Sequence, residues 1–212
     1  EQANPDEGVE PQYGGKITFA REAETSLPWT PANMVCDVAC HQAIRGIYDT
    51  LTLYDSEGVP QPFLLSSIEP NDDFTEWTLT AREGITFHDG TPFNADAIGR
   101  HFEEGRASTL IGKVFSDVVD QAKVDDMTVT VSMSNPWSNF PDFLSGQPGY
   151  VASPTWLDAV AAGTAQSTEP VGTGPFVFAE FNAGDNFRMT RNDDYWNTDA
   201  DGNAYPYLDE IE

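Results

Sequence analysis

The sequence has few basic residues, few cysteines and no long apolar run. Of its 212 residues 10 are Lys or Arg and 35 are Asp or Glu, a formal net charge of −25. Nucleic acids and anionic membrane surfaces are bound through Lys and Arg. We therefore expect no nucleic acid and no anionic membrane among the partners. No stretch approaches the roughly 20 apolar residues that a spanning helix needs, so direct membrane insertion is not expected.

The composition is nevertheless that of a folded protein. Apolar residues make up 39% and aromatic residues 12% of the chain, which argues against intrinsic disorder despite the charge. The length allows one domain or two small ones. Residues 1–12 are polar, acidic and contain proline, and we predict that they form a flexible leader on a chain from which any secretion signal has been removed.

The cysteines are limited to Cys36 and Cys40, within the segment CDVACH. Their spacing suits two buried thiols on one helical turn, or a local disulfide if the segment is not a regular helix. A zinc site requires about four ligands. His41 would be a third ligand and no fourth is evident, so we predict neither a metal nor another cofactor here.

The order of apolar patterns predicts a mixture of strands and helices. Alternating runs predict strands, and three- and four-residue spacing predicts helices, one of them capped by Asn94 or Asp96. Strands are predicted at 16–20, 53–54, 77–82, 176–181 and 187–189, with a strand, turn and strand across 124–133. Helices are predicted at 35–53, after 94–96, at 139–144 and at 155–162. This mixture indicates an α/β or α+β fold.

Two short motifs lend themselves to structural explanations. Phe87–Pro92 (FHDGTP) is a turn in which Asp89 can accept backbone N–H bonds, and His88 is interpreted as part of the turn. Gly172–Pro175 (GTGP) lacks the lysine of a phosphate loop and the spacing of a dinucleotide motif. GxSxG and HExxH are also absent, so we predict that the chain is not an enzyme and has no catalytic residues.

Two longer segments carry a family resemblance. Residues 77–96 read WTLTAREGITFHDGTPFNAD, and residues 170–212 contain PVGTGPFVFAEF, RNDDYW and YPYLDEIE in that order. With Gly14-Gly15 before the first strand and the turn at 55–58, they resemble the peptide/nickel/oligopeptide class (family 5) of extracellular solute-binding proteins. Those proteins are the capture subunits of ATP-driven ABC importers.

The resemblance implies an α/β fold, a lobe like those of class II periplasmic binding proteins. A mixed sheet with flanking helices would be built from residues 13–55 and 168–212. Residues 56–167 would form a smaller inserted α+β subdomain. Family members are normally more than twice this length, so we expect the second lobe to be absent from this chain.

The function implied is capture of a small ligand, such as a peptide, between two lobes and its delivery to the membrane permease subunits. The resemblance places the protein outside the cytoplasm, in the periplasm or at the cell surface, exported and in some relatives lipid-anchored. It also favours the disulfide between the cysteines. The alternative is a secreted adhesion or interaction module that reuses the scaffold without transport.

Six residues are predicted to bind ligand. Trp29 and Met34 match an aromatic-Thr-Pro-x-x-Met loop that faces the cleft in nickel-type members, and the alternative is that both fill the core. Glu22 suits a cationic ligand group, or is part of a solvated acidic loop. By resemblance Phe115 lies at the cleft edge, with Gln147 and Tyr150 in a second cleft-edge loop.

One acidic segment partly matches a calcium loop. Asp199, Asp201 and Asn203 place oxygen ligands at alternate positions, with Glu210 at the twelfth position. Ala204 stands where such a loop needs glycine, and a loop that starts at Asn197 has Gly202 in place but Leu208 at its twelfth position, so neither register is complete. We expect a plain acidic turn there, with calcium as the alternative.

Overall fold

The computed structural model describes residues 11–23 and 29–212. The predicted leader lies almost wholly outside these residues, as does part of the loop after the first strand. The strands are β1 (Lys16–Ile17), β2 (Thr52–Tyr54), β3 (Pro60–Pro62), β4 (Leu65–Pro70), β5 (Glu76–Ala81), β6 (Val118–Lys123), β7 (Thr128–Met133), β8 (Phe176–Asn182), β9 (Asn186–Arg191) and β10 (Glu210–Ile211). The helices are α1 (Val38–Ile44), α2 (Ala95–Ala107), α3 (Phe140–Phe143) and α4 (Pro154–Ala161), with a 3₁₀ turn at Gln147–Gly149.

The strands form two larger sheets and a hairpin. The first sheet has the order β1–β10–β9–β8, in which β1 runs parallel to β10 and the other neighbours are antiparallel. The second sheet has the order β4–β5–β7–β6 and is antiparallel throughout. Strands β2 and β3 pair separately. The first sheet therefore joins distant parts of the chain, whereas the second uses only residues 65–133.

The sequence patterns explain the best-defined elements. In β5 the residues Trp77, Leu79 and Ala81 are buried while their neighbours are more exposed, as expected for a strand with one face on a core. Helix α2 begins after Asn94, whose side chain accepts the backbone N–H groups of Asp96 and Ala97. The prediction of a cap at this point is confirmed, with Asn94 as the capping residue.

Helix α1 is much shorter than predicted. The expected helix ran from Val35 to Leu53, but the chain leaves the helical path after Ile44. The backbone carbonyl of Gly46 accepts the N–H of Phe176 at 2.8 Å, and a Cβ at Gly46 would collide with Met189 Sδ. The apolar spacing continues past Ile44 because the next residues are buried too, although they are not helical. Packing against β8 and β9 thus overrides helix periodicity.

The prediction for residues 124–133 is wrong in its first half. The turn lies at 124–127, and the strand that pairs with β7 comes earlier, as β6. The sequence also gave no indication of β3, β4 or β10. Two clusters of buried side chains form the interior, one around Phe102 between α2 and the second sheet and one around Trp29 and Ile44 against the first sheet. Val171 contacts both clusters.

Candidate functional site

The FHDGTP and GTGP motifs contact each other. The backbone N–H of His88 donates to Gly172 O at 2.9 Å, and His88 Nε2 lies 3.0 Å from Gly174 O. Because His88 Nδ1 accepts the N–H of Gly172 at 3.4 Å, Nε2 carries the proton and the ring is neutral. Burial lowers the pKa of His88, in keeping with that form. These contacts favour the architectural interpretation of both motifs.

The third motif, RNDDYW, surrounds a buried carboxylate. Asp49 is 5% exposed and accepts hydrogen bonds from Thr173 Oγ1 at 3.0 Å, Tyr195 OH at 3.1 Å and Trp196 Nε1 at 3.1 Å. Burial raises the pKa of Asp49 to about 6, and the three hydrogen bonds oppose that rise. The donors are all neutral, and Asp49 forms no ion pair with a basic residue in the part of the chain that the structure describes, so it links three segments through hydrogen bonds.

The loop at residues 29–34 is held in place by backbone contacts. The N–H of Trp29 donates to Ser167 O at 3.0 Å, and Tyr48 OH donates to Trp29 O at 3.2 Å. Within the loop, the N–H of Met34 donates to Thr30 O at 2.9 Å. Just beyond it, Cys36 and Cys40 form a disulfide with an S–S distance of 2.00 Å. The disulfide resolves the alternatives for the two cysteines and ties the end of the loop to α1.

Side chains from a second part of the chain hold the same loop. Gln147 Nε2 donates to Pro31 O at 3.1 Å and to Met34 O at 2.9 Å. Ser108 Oγ donates to Ala32 O at 2.5 Å. Three backbone carbonyls of the loop, those of Pro31, Ala32 and Met34, therefore accept hydrogen bonds from side chains more than 75 positions away in the sequence. Ser108, which follows α2, and Gln147, which follows α3, thus hold the backbone of the loop in place.

Five of the six predicted ligand residues line two cavities, and the sixth, Met34, lines neither. Phe115, Gln147 and Tyr150 line one cavity of about 20 Å³ together with Pro31 and Ala32. Trp29 and Glu22 line a surface groove of about 510 Å³. The side chain of Met34 is fully buried. The structure thus groups these residues around the loop at 29–34.

Their exposure differs sharply. Trp29, Met34, Phe115 and Tyr150 are at most 1% exposed, Gln147 is half-buried and Glu22 is exposed. Both amide hydrogens of Gln147 are directed to the carbonyls of Pro31 and Met34, so its side chain already holds the backbone of the loop in place. Direct ligand contact by the six residues stays a prediction.

Two further residues near the loop at 29–34, His101 and Ser108, were not among the site residues predicted from the sequence. His101 in α2 is half-buried as a residue, and its buried Nε2 has no hydrogen-bond partner among the described residues. Burial lowers the pKa of His101 to about 4, so the ring is neutral at pH 7. His101 and the small cavity are adjacent. Ser108, the other residue, offers no sequence signal because its partner is a backbone carbonyl 76 positions away.

The Tyr150 hydroxyl connects this region to α1. It accepts a hydrogen bond from Arg45 Nε at 3.2 Å and lies 3.3 Å from His41 Nδ1. Burial, reinforced by the positive charge of Arg45, lowers the pKa of His41. A neutral His41 can accept the proton of the Tyr150 hydroxyl, and this arrangement fixes the ring of Tyr150.

The acidic turn at residues 199–203 is closed by internal hydrogen bonds. The carboxylate of Asp199 accepts from Tyr207 OH at 2.5 Å, Asn203 Nδ2 at 2.8 Å and the N–H groups of Asp201 and Asn203. The hydrogen bonds from Tyr207 and Asn203 lower the pKa of Asp199 to about 2. Within residues 11–23 and 29–212, no group of three His, Cys, Asp or Glu side chains is placed to hold a metal ion. Calcium binding stays untested.

None of the helices among the described residues has the length and apolar character required to cross a membrane. The mixed sheet, the flanking helices and the loop at residues 29–34 define the class of protein: an α/β lobe like those of periplasmic binding proteins. Proteins solved with a peptide and with a metal chelate share it. DppA from Helicobacter pylori, solved with the peptide STSA, matches 94% of this chain with a TM-score of 0.80 and 26% identity. NikA from Brucella suis, solved with Fe(III)-EDTA, matches 93% with a TM-score of 0.76 and 22% identity.

The particular family follows from the sequence comparisons. Residues 59–212 match the model of the bacterial extracellular solute-binding proteins, family 5, and the chain belongs to that family. A probable peptide ABC transporter periplasmic-binding protein, y4tO, of Sinorhizobium fredii is 32% identical over 155 residues, 70% of this chain. The glutathione-binding protein GsiB of Shigella flexneri is 28% identical over 180 residues, 82% of this chain. The predicted family and fold class are confirmed.

The chain spans about a third of the length of these relatives: 28% of y4tO and 33% of GsiB. It likewise covers 42% of the DppA chain. Members of the family are transport components that catalyse no reaction, so the prediction that this chain is not an enzyme is confirmed. The family is extracellular by its description, which supports the predicted extracytoplasmic location.

Proposed function

We propose that this chain is the amino-terminal lobe of the solute-binding component of an ABC importer. The lobe captures a small ligand, a peptide or a similar molecule, against a second lobe and delivers it to the membrane permease. The observation that carries the proposal is the family match over residues 59–212, together with alignment of 94% of the chain to less than half of DppA. The divisions at residues 13–55, 56–167 and 168–212 belong to this proposal.

The mechanism would be closure of two lobes on the ligand. A ligand that contacts both lobes stabilises the closed form over the open one, and the permease distinguishes the two forms. We assign the ligand-facing side of this lobe to the fastened loop at 29–34 and to the residues around Phe115 and Gln147. Trp29 and Met34 are at most 1% exposed and belong to the cluster of buried side chains against the first sheet, so in this proposal they support the loop from the core.

Uptake measurements test transport. In cells that lack the gene for the protein containing this chain, uptake of labelled dipeptides should fall and return when the gene is restored. Unchanged uptake of peptides, glutathione and nickel in the deletion strain would contradict the proposal and favour a binding module without transport.

Calorimetry tests two-lobe capture. Because one lobe supplies only part of the buried surface, the 212-residue chain should bind dipeptides with Kd values no tighter than about 1 mM, near 4 kcal/mol. A peptide panel and a sugar panel are titrated separately. Micromolar binding by this chain would show that one lobe suffices, against the proposed mechanism.

A further inference from the structure

Another cavity lies just past the end of α1, beside the hairpin of β2 and β3. Its volume is about 210 Å³, and it is lined by side chains from residues 45–50, by Leu53 and Phe63 and by Pro175. The N–H of Phe63 donates to Leu51 O at 3.0 Å, which holds the end of the hairpin against the segment that follows α1. We call this space the hairpin cavity.

Buried polar groups form the floor of the hairpin cavity. Tyr48, Asp49 and Tyr150 are buried, and Tyr195 OH donates to Asp49 Oδ1 at 3.1 Å. Burial raises the pKa of Tyr48, Tyr150 and Tyr195, so the three phenols are neutral at pH 7. Titratable groups with perturbed pKa values that share a cavity are typical of binding sites. Asp49 supplies the one carboxylate among the described residues that line this cavity.

Arg45 brings a positive charge to the mouth of the hairpin cavity. It is exposed, and its Nε donates to Tyr150 OH at 3.2 Å. In the part of the chain that the structure describes, its two Nη groups have no hydrogen-bond partner. Because the bond to Tyr150 orients the guanidinium from one edge, the edge formed by the two Nη groups stays available. A carboxylate can bind such an edge through two parallel hydrogen bonds.

Three other arginines without an ion pair are placed differently. Arg82 donates to two backbone carbonyls and lies over an indole ring at 5.3 Å. Arg106 donates to a side-chain amide. Arg21 lines its two surface grooves together with the carboxylate of Glu212. What distinguishes Arg45 is therefore its place at a cavity whose one carboxylate lies on the buried floor.

The remaining walls of the hairpin cavity are apolar. Leu53 is 40% exposed, and Phe63 and Pro175 are half-buried. Small-molecule sites are mostly apolar with a few placed polar groups, and this cavity has that composition. Its volume equals that of about seven water molecules at about 30 Å³ each, so it suits a small molecule with a short carbon chain.

We propose that the hairpin cavity binds a small monocarboxylate with a short apolar chain. The Nη groups of Arg45 hold the carboxylate, and the apolar walls cover the chain. The Asp49 carboxylate on the floor disfavours a second negative charge on the ligand, because like charges repel. Of the six residues predicted to bind the transported ligand, Tyr150 alone lines this cavity. The inference therefore assigns a separate site and does not depend on the proposed transport function.

The test is a titration of the ¹⁵N-labelled 212-residue chain followed by NMR, which detects millimolar binding, at a pH above the pKa of Asp49. Three four-carbon probes are compared: butyrate, butyramide, which replaces the carboxylate with a neutral amide, and succinate, which adds a second carboxylate. Butyrate should shift the amide signals of residues 45–53 and 145–150. Butyramide and succinate should each bind about 2–5-fold more weakly, the strength of one exposed ion pair.

Matched variants separate the hairpin cavity from general charge effects. Arg45→Gln should weaken butyrate binding about 2–5-fold and abolish the difference between butyrate and butyramide. Lys123→Gln removes the same charge from β6 and should change neither. Leu53→Ser should weaken butyrate and butyramide alike, because it removes an apolar wall that both probes contact. Val124→Ser, at another exposed apolar residue, is its control, and the dispersion of the amide signals shows that each variant is folded.

Three results would overturn the inference: equal binding of butyrate and butyramide by the wild type, shifts confined to residues away from the hairpin cavity, or no shift at about 10 mM butyrate, tenfold above the 1 mM scale of weak binding. The proposed transport function is judged separately, by the uptake assay. Failure of either test therefore leaves the other conclusion standing.

Discussion

At the scale of single residues, Gln147 connects two parts of the chain through one amide group. Its Nε2 serves the carbonyls of Pro31 and Met34. Replacing it with leucine leaves two partly buried carbonyls without their donors, and such a loss costs about 1–3 kcal/mol. We expect Gln147→Leu to lower the free energy of unfolding by that amount and to speed amide exchange at residues 30–36.

Urea denaturation and hydrogen exchange measure the two effects. Gln42→Leu is the control, because Gln42 is exposed on α1 and surface changes usually stay within about 0.5 kcal/mol. Equal stability of both variants would mean that the amide of Gln147 does not hold the loop.

Asp49 makes stability depend on pH. Its pKa of about 6 in the folded protein lies above the ordinary carboxyl value of about 3.9, so the folded state binds this proton more tightly. The resulting stabilisation is complete below about pH 4 and is lost as the pH rises through about 6. A difference of about two pKa units corresponds to about 3 kcal/mol.

The variant Asp49→Asn cannot titrate and isolates this contribution. We expect the stability advantage of wild type over the variant to shrink by about 2 kcal/mol between pH 4 and pH 7, because the unfolded carboxyl is already partly ionised at pH 4. Urea midpoints of both proteins across that range give the difference at each pH. An advantage that is constant with pH, or that grows as pH rises, would contradict the assignment of a raised pKa to Asp49.

The roles of single residues could be predicted only where they lie in a motif that resembles the family. The resemblance pointed to Trp29, Met34, Phe115, Gln147 and Tyr150, and the structure groups all five around one loop. The carbonyls that Gln147 and Ser108 bind could not be foreseen, because a backbone carbonyl has no signature in the sequence. The cysteine pairing stayed open for a similar reason: one spacing suits several states.

At the scale of elements, the end of α1 depends on close packing against β9. Gly46 follows the helix, and a Cβ there would collide with Met189 Sδ. Over-packing typically costs about 1–3 kcal/mol, and the lower end of that range applies here because Met189 Sδ and Cε are the far end of a flexible side chain. We expect Gly46→Ala to lower the unfolding free energy by that amount in thermal or urea denaturation.

The matched control is expected to raise the free energy of unfolding, whereas Gly46→Ala lowers it. Gly99 lies inside α2, and a Cβ there would meet no atom within 4 Å. Gly99→Ala should therefore stabilise the protein by about 0.4–1 kcal/mol through helix propensity and a less flexible unfolded chain. Equal effects of the two variants would mean that close packing is not what requires glycine at position 46.

Elements with a clear alternation were predictable and the others were not. Strands β5 and β8 and helix α2 follow from pattern and capping. Strand β6 was missed because its residues after Val118 are mostly exposed and do not alternate. Strand β3 begins and ends with proline, which disfavours a strand on sequence grounds. Helix α1 was overextended because buried residues continue beyond it at helical spacing.

At the scale of the whole molecule, the net charge of −25 opposes the compact state. Self-repulsion of this size destabilises a folded protein, and salt screens it. We expect the unfolding midpoint to rise between about 10 mM and 1 M sodium chloride, where the Debye length falls from about 30 Å to 3 Å. For a chain of this size each kcal/mol gained corresponds to about 2–4 °C.

Calorimetric scans at both salt concentrations measure the shift. Potassium chloride serves as the control, since screening depends on ionic strength and not on the cation. An unchanged or falling midpoint would show that the acidic surface is already neutralised by local hydrogen bonds and ion pairs.

Fold class was the most predictable property of the whole molecule. The order of several unrelated motifs carried the resemblance, and the family match confirms it. The ligand could not be predicted from those motifs, because FHDGTP, GTGP and RNDDYW contact one another and Asp49 instead of lining the candidate site.

The parallel pairing of β1 with β10 has a consequence for the order of assembly. Lys16 lies opposite Glu210 in that pair, so the first sheet is complete only after synthesis has reached Ile211. The second sheet has all its strands once Met133 has emerged. Contacts between distant residues form slowly because a long loop must close first. On the ribosome, we therefore expect the second sheet to fold first, before β1 and β10 are brought together.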